Sequence, residues 1–341
     1  MKRPATISQI LHVFNGKRTP SMFYTIEKNG WHAGFLLSSA IQREQLDAFV
    51  HYFLQNGWVT EEEKRFTLTE KGEAICREYF HTHYYPQHIQ DFSYATIRIP
   101  FWNRLQLYSQ VFSELSYQNS MYIPVIKDPR HQENVRDLFR IFSHDKKNLL
   151  QQWVKEQVYL YEQIDEQMAD TLVNLLTGHH RIGKTKEQIR QALNMETLEF
   201  QFYLNDAIEV LIKVIRANKN KTPLSFAILD SLFTEKNLGL SESTKQTYNL
   251  LKAGYSLEKI AADRNIKVNT VREHVLEMAF VFEVFPFKQF VPQKVYEDLN
   301  RMFEKKASYT YKEAVSEFKD LEFMHFRLVE IERMRRQDEQ N

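Results

Sequence analysis

Two short stretches of this sequence hold residue types that could do chemistry. Residues 178–185, GHHRIGKT, place Gly178, Gly183, Lys184 and Thr185 at the spacing of a phosphate-binding loop. In such a loop backbone amides cradle phosphates, the lysine meets the terminal phosphates and the threonine ligates magnesium. Alone, that spacing would mean nucleotide hydrolysis. The loop must, however, join a buried strand to a helix, and the preceding Met168, Leu172, Leu175 and Leu176 recur at helical spacing, with Asp170 and Asn174 unsuited to a central parallel strand. FAILD at 226–230 is a poor partner strand for holding magnesium. The stretch is read as a joint between two helices, with Thr185 opening the second, and no nucleotide site is assigned.

The second stretch, TKQTYNLLKAGYSLEKIAADRNIKVNTVREHVLEMA (244–279), has the punctuation of a helix-turn-helix. Gly254 closes a first helix, Ser256 caps a second, and Ile260 with Ala261 face inward, the small Ala261 where the helices cross. A polar turn at Asn265 leads to Ile266 as a core anchor. Asn269 or Thr270 then caps a third helix that buries Val271, Val275 and Met278. Lys267, Asn269, Thr270, Arg272, Glu273 and His274 are left at its solvent-facing start, where such motifs place groove-contacting side chains. The candidate DNA contacts are Ser256, Lys267, Asn269, Thr270, Arg272 and His274. Asn and Thr can bond base edges or phosphates, and Arg can bond guanine bidentately.

Other constellations fall short of a site. His81, His83 and His88, and the pair His179 and His180, lack the spacing of a metal-binding set, so no metal or other cofactor is expected. Cys76, the single cysteine, lies in an amphipathic segment and is read as packing; no nucleophile and base can be assembled. The aromatics Phe280, Phe282, Phe285, Phe287 and Phe290 are read as core packing rather than a base-stacking platform.

The elements that must position these residues are mainly helical. In 341 residues glycine (9) and proline (9) are scarce while Phe (25) and Tyr (17) abound, which disfavours a loop-rich α/β enzyme. Charged residues make up 26% and the net charge is +1, so any DNA contact must come from a local patch. No apolar run is long enough for a membrane span, and one cysteine points to a reducing, cytoplasmic setting. Helices are expected over Thr6–Phe14, about Ser21–Glu27, and Gln42–Asn56, where Leu46, Phe49, Val50, Phe53 and Leu54 form one buried face. A hairpin with a charged turn (Glu61–Arg65) and a helix from Glu70 follow, in winged-helix order. The stretch through Pro100 lacks helical periodicity. Beyond it, Leu107–Leu115, Val135–Phe142, Leu149–Tyr161, Met168–Leu176 and Leu198–Ile215 form a helical middle region. Residues 217–223, ANKNKTP, read as a linker. The expected domains are therefore 1–90, a winged helix; 91–222, a helical bundle; and 223–341, the helix-turn-helix domain with a solvated tail.

AGYSLEKIAADRNIKVNTVREHV followed by FVPQKVYEDL and FMHFRLVEI resembles the helix-turn-helix domain at the C-terminus of some RecQ-type helicases, over about residues 240–333. Length and layout resemble the stand-alone YpbB-type bacterial proteins. ILHVFNGKRTPS, NGWV and FTLTEKGEAI are similar to the RQC winged helix of RecQ helicases. That resemblance maps a phosphate-touching loop onto Gly16, Lys17, Arg18 and Thr19. The chain departs from the pattern in lacking a four-cysteine zinc module and in carrying Glu61, Glu62 and Glu63 where a wing would meet phosphates. What the resemblance implies is a non-enzymatic, nucleoid-associated DNA-binding accessory of a RecQ-type helicase supplied by another chain, in repair or recombination. A helix-turn-helix transcription regulator and a helical protein-interaction adaptor without DNA contact remain as alternatives.

Overall fold

The computed structural model describes residues 4–37, 41–141, 146–235, 237–306 and 309–338, which are mainly helical with one small hairpin. The chain opens with α1 (Ile7–Phe14), α2 (Pro20–Asn29), α3 (Arg43–Gln55), β1 (Val59–Glu62), β2 (Arg65–Leu68) and α4 (Glu70–Thr82). There follow α5 (Arg98–Ser116), α6 (Pro129–Ile141), α7 (Lys146–Glu162), α8 (Glu166–Asn174), α9 (Lys186–Ala192), α10 (Thr197–Ala217) and α11 (Pro223–Glu235). The remainder comprises α12 (Glu242–Lys252), α13 (Leu257–Asp263), α14 (Val268–Val281), the one-turn α15 (Phe287–Phe290), α16 (Gln293–Lys305), α17 (Tyr311–Glu317) and α18 (Phe323–Asp338).

These elements form two compact units that do not follow the expected boundaries. One comprises Met1–Leu46, Asp91–Ser93 and Gly239–Asn341, the other Asp47–Gln90 and Tyr94–Leu238. The division falls inside α3, so α1 and α2 belong to the unit of the helix-turn-helix while the hairpin and α4 belong to the other. Residues 1–90 are thus not a single compact domain. The expected buried face of α3 is also corrected: none of its side chains is fully buried, and Phe49 stays 57% exposed.

In the second unit β1 and β2 pair antiparallel from Val59 opposite Leu68 to Glu62 opposite Arg65. Glu63 and Lys64 both take positive φ (49° and 61°), the two-residue turn whose twist suits a hairpin. The core gathers around α5 and α10, with Trp102, Tyr108, Phe112, Tyr203, Ile208 and Leu211 at most 2% exposed. Pro100 does not delay α5, which starts at Arg98: at the third position of a helix the missing N–H is one that has no partner within the helix anyway. The expected linker at 217–223 is instead a tight corner. Buried Glu156 on α7 accepts hydrogen bonds from the amides of Leu224 (3.0 Å) and Ser225 (2.9 Å) at the start of α11. Leu224, Ile228, Leu229 and Leu232 then bury a helical stripe in the same core, so FAILD is helix and the unit runs on to Leu238.

In the first unit α14 is the central helix, packed against α2, α12, α13 and α18. Its residues from His274 to Val281 are all buried. Phe280 meets Phe23 of α2 at 5.9 Å between ring centroids, and Phe23 meets Phe92 edge-on at 4.7 Å. The Ser93 hydroxyl donates to the Val281 carbonyl (3.2 Å), so this short return segment joins the core at the end of α14. Arg335 of α18 covers the same end, donating to the carbonyls of Phe280 and Phe282 (both 2.8 Å).

Candidate nucleic-acid interface

The helix-turn-helix is made by α12, α13 and α14. Gly254, with φ of +84°, follows the end of α12 and donates to the Leu251 carbonyl (2.9 Å), a left-handed conformation that costs glycine nothing. Ser256 caps α13, its hydroxyl accepting from the Lys259 amide (3.2 Å). Asn265 then takes φ of 52° and lets the chain turn, after which the Ile266 amide donates to the Ala261 carbonyl (3.0 Å). Ile260, Ala261 and Val271 are buried together, with Leu250, Leu257 and Ile266 packed around them. Val275 and Met278 are buried as the spacing predicts.

The start of α14 differs from expectation in one respect. Its N-cap is Lys267, not Asn269 or Thr270, and no side chain caps the helix. The N-terminal amides therefore have no side-chain acceptor on their own helix, and the dipole end is open to an anion. Lys267, Asn269 and Glu273 are exposed and Thr270 is half-buried. Arg272 is also half-buried: it donates from Nη1 to Asn269 Oδ1 (3.0 Å) and from Nη2 to Glu322 Oε1 (2.7 Å) just ahead of α18. Two acceptors thus fix the guanidinium beside the helix start. Its Nε is buried with no hydrogen-bond acceptor.

His274 must be removed from the outward set. It is 8% exposed, with Nδ1 hydrogen-bonded to Thr247 Oγ1 (2.7 Å), and it belongs to the α12–α14 contact. Burial, then the nearby Arg264, push its pKa below the ordinary 6.5 against the opposing pull of Glu277, so it is held neutral. The reason lies in helical geometry: position 274 follows Val271 by three residues and returns to the same face.

The basic loop before α2 divides similarly. Lys17 is exposed. Thr19 caps α2, its hydroxyl accepting from the Met22 amide (3.3 Å). Arg18 is turned inward onto Glu277 of α14 (2.9 Å) and the Gly239 carbonyl (2.5 Å), with its guanidinium 5.2 Å from the Phe23 ring centroid. The buried Glu277 also accepts from the Ser241 amide (2.8 Å) and the Thr244 hydroxyl (2.6 Å). Arg18 and Glu277 neutralise each other inside the unit, so neither shapes the outer field. Lys17 is the cation of this loop that remains at the surface.

Along one flank of α14 lies a cleft of about 720 Å³ between the start of α2 and the α17–α18 junction. Asn269, Arg272, Glu273 and Leu276 of α14 line it together with Phe323 and Arg327 of α18. Sequence reasoning missed these α18 residues. Their only signal was that FMHFRLVEI fell within the resemblance, without any spacing that tied it to α14.

The GHHRIGKT stretch joins α8 to α9 with no strand before it. Most of its amides are already engaged: Gly178 and Arg181 exchange hydrogen bonds (2.8 and 3.1 Å), Gly183 donates to Thr177 Oγ1 (3.1 Å) and Lys184 to the Asn174 carbonyl (2.7 Å). Thr185 caps α9, its hydroxyl accepting from the Gln188 amide (3.1 Å) while Gln188 returns to the Thr185 amide (2.8 Å). A Cβ at Gly183 would stand 2.7 Å from the Leu175 carbonyl oxygen and 2.8 Å from that of Leu176, so the glycine answers to close backbone approach. Among the described residues no group of three or more His, Cys, Asp or Glu is placed to hold a metal ion, and no helix is long and apolar enough to cross a membrane.

No solved structure matches this chain. Over 302 residues it is 24% identical to Protein YpbB of Bacillus subtilis (strain 168), a match spanning 83% of this chain and 80% of that protein. Residues 243–330 match the family described as a helix-turn-helix domain, the segment that runs from α12 into α18, and the chain therefore carries a helix-turn-helix domain.

Proposed function

We propose that this chain is a non-enzymatic DNA-binding protein that serves a RecQ-type helicase supplied by another chain, in repair or recombination on the nucleoid. The observation that carries the DNA reading is the first turn of α14. Lys267 and Asn269 are exposed there, Thr270 is half-buried, Arg272 is fixed beside them, and the helix start has no side-chain cap. Helix-turn-helix proteins contact base edges from this turn, and a helix N-terminus accepts a phosphate. Lys17 adds a cation within the same compact unit. The helicase part rests on the resemblance of the segment from α12 to α18 to helicase-appended domains. The hairpin, with Glu61, Glu62 and Glu63 exposed, repels phosphates and is assigned to protein contact.

The test is fluorescence anisotropy of the full chain with paired, forked and single-stranded DNA across a salt series. The paired variant Lys267→Ala with Arg272→Ala should weaken binding by roughly 1–3 kcal/mol if either side chain bonds a base. Unchanged affinity would remove the DNA reading. For the helicase, recovery with the chain from its native host is expected, together with a change in that enzyme's DNA affinity or unwinding. Neither effect appearing would end the accessory assignment, and a footprint confined to one sequence would replace it with operator binding.

A further inference from the structure

The cleft beside α14 is more specific than a surface for the DNA backbone. Its charges cancel: Arg272 pairs with Glu322 (2.7 Å), Arg327 pairs with Glu330 (2.6 Å), and Glu273 adds a further carboxylate at the wall. A phosphate entering it would meet acceptors as readily as donors. A neutral ligand that both donates and accepts hydrogen bonds fits better, because carboxylates and the Asn269 amide can pair with amino and ring N–H groups while Arg272 donates. Each Nη of Arg272 carries a second N–H beyond the one it gives to Asn269 or Glu322.

The apolar part of the cleft calls for a flat ligand. Phe323 is 45% exposed and is braced edge-on by Tyr311, at 88° and 5.1 Å between centroids. The Arg327 guanidinium lies 3.4 Å from the Tyr24 ring centroid and 5.1 Å from that of Phe323, which helps hold the phenyl ring in place. Buried Leu276 and Met324 close the cleft with apolar surface. The cleft also shares Asn269 and Arg272 with the turn that faces DNA, so a strand docked on that turn has a nucleotide at the cleft mouth.

We propose that this cleft receives one unstacked nucleobase, seated on Phe323 and bonded along its edge by Asn269, Arg272 and Glu273. The proposal rests on the DNA-binding reading and deepens it: the preferred ligand is DNA with an unpaired base, as at a bulge or fork, rather than an uninterrupted duplex. Stacking on one aromatic side chain is sufficient for roughly a tenfold preference.

The test uses the full chain and two short duplexes that are identical except for a single unpaired 2-aminopurine in one. Wild type should bind the interrupted duplex about tenfold more tightly, with the probe's fluorescence changing on binding. Phe323→Leu should abolish most of that preference while leaving affinity for the paired duplex within about twofold, and Phe323→Tyr should retain it. Glu273→Gln should alter which unpaired base is favoured. Equal affinity of wild type for the two duplexes, or full preference in Phe323→Leu, would overturn the nucleobase cleft while leaving DNA binding standing. Failure to bind either duplex would overturn the DNA reading itself, and this proposal with it.

Discussion

Each compact unit is organised around one long buried helix, and α10 and α14 use their charged side chains differently. On α10 the fully buried Asp206 accepts from the Tyr84 hydroxyl (2.5 Å) and from the amides of Gln87 and His88 (both 2.9 Å). Burial, then that hydrogen bond, raise the pKa of Tyr84 far above the ordinary tyrosine value. One turn further, Glu209 accepts from Arg98 Nε (2.8 Å), with Lys213 at 3.6 Å. The charges of α10 therefore fasten a loop and a neighbouring helix to its flank, which is scaffolding. On α14 the polar side chains of the buried half, neutral His274 and charged Glu277, face α12, the loop before α12 and the segment before α2, while the first turn is left outward. A helix fixed over half its length can present the other half without ordering cost when a ligand arrives.

The contrast predicts that substitutions on α10 and its partners act on stability and those at the start of α14 act on binding. The largest effect is expected from Arg98→Met, which leaves Glu209 buried beside an apolar side chain and should cost about 3–5 kcal/mol in urea unfolding. A loss under about 1 kcal/mol would show that the pair is not the fastening it is taken to be. Next comes Ala261→Leu, which overfills the crossing of α13 and α14 and should cost about 1–3 kcal/mol while also weakening DNA binding. Normal affinity in that variant would separate the crossing from the interface.

A smaller, pH-dependent effect belongs to His274. Because its folded pKa is depressed, its contribution to stability is complete above the ordinary 6.5 and is lost as pH falls through the lower folded value. Thermal unfolding from neutral to mildly acid pH should show this loss, and His274→Gln should flatten that component. The smallest effect on stability, within about 0.5 kcal/mol, is expected from Lys267→Ala or Asn269→Ala, both exposed. If either variant unfolds readily, the first turn is part of the scaffold and the contrast with α10 fails.

Much of the helix-turn-helix was legible because its punctuation is local. Gly254, Ser256 and Asn265 stand where the backbone needs a left-handed residue, a cap and a turn, and the buried set from Ile260 to Met278 follows helical spacing. The same locality exposed the GHHRIGKT stretch, whose required strand is replaced by helical spacing in α8. The misreadings came from long-range partners. Arg18 reads as a surface cation until Glu277, 259 residues away, is known to receive it. His274 reads as outward until α12 packs over it. The corner at 217–223 reads as a linker because its polar composition says nothing of Glu156 waiting to cap α11. Phe92 shows the limit most clearly: three residues between the hairpin segment and α5 belong to the core around α14, and no spacing rule reports a contact that crosses so much chain.

Arg335 sets a practical boundary on the domain. The family match ends at residue 330, but the carbonyls of Phe280 and Phe282 at the end of α14 are covered from residue 335. A fragment trimmed to the matched residues would keep all of α14 and still leave the carbonyls at its C-terminal end uncovered. Extending such a fragment past that arginine restores this cover but not Phe23 and Arg18, which pack on α14 from the start of the chain, so the compact unit is not portable as a single stretch of sequence.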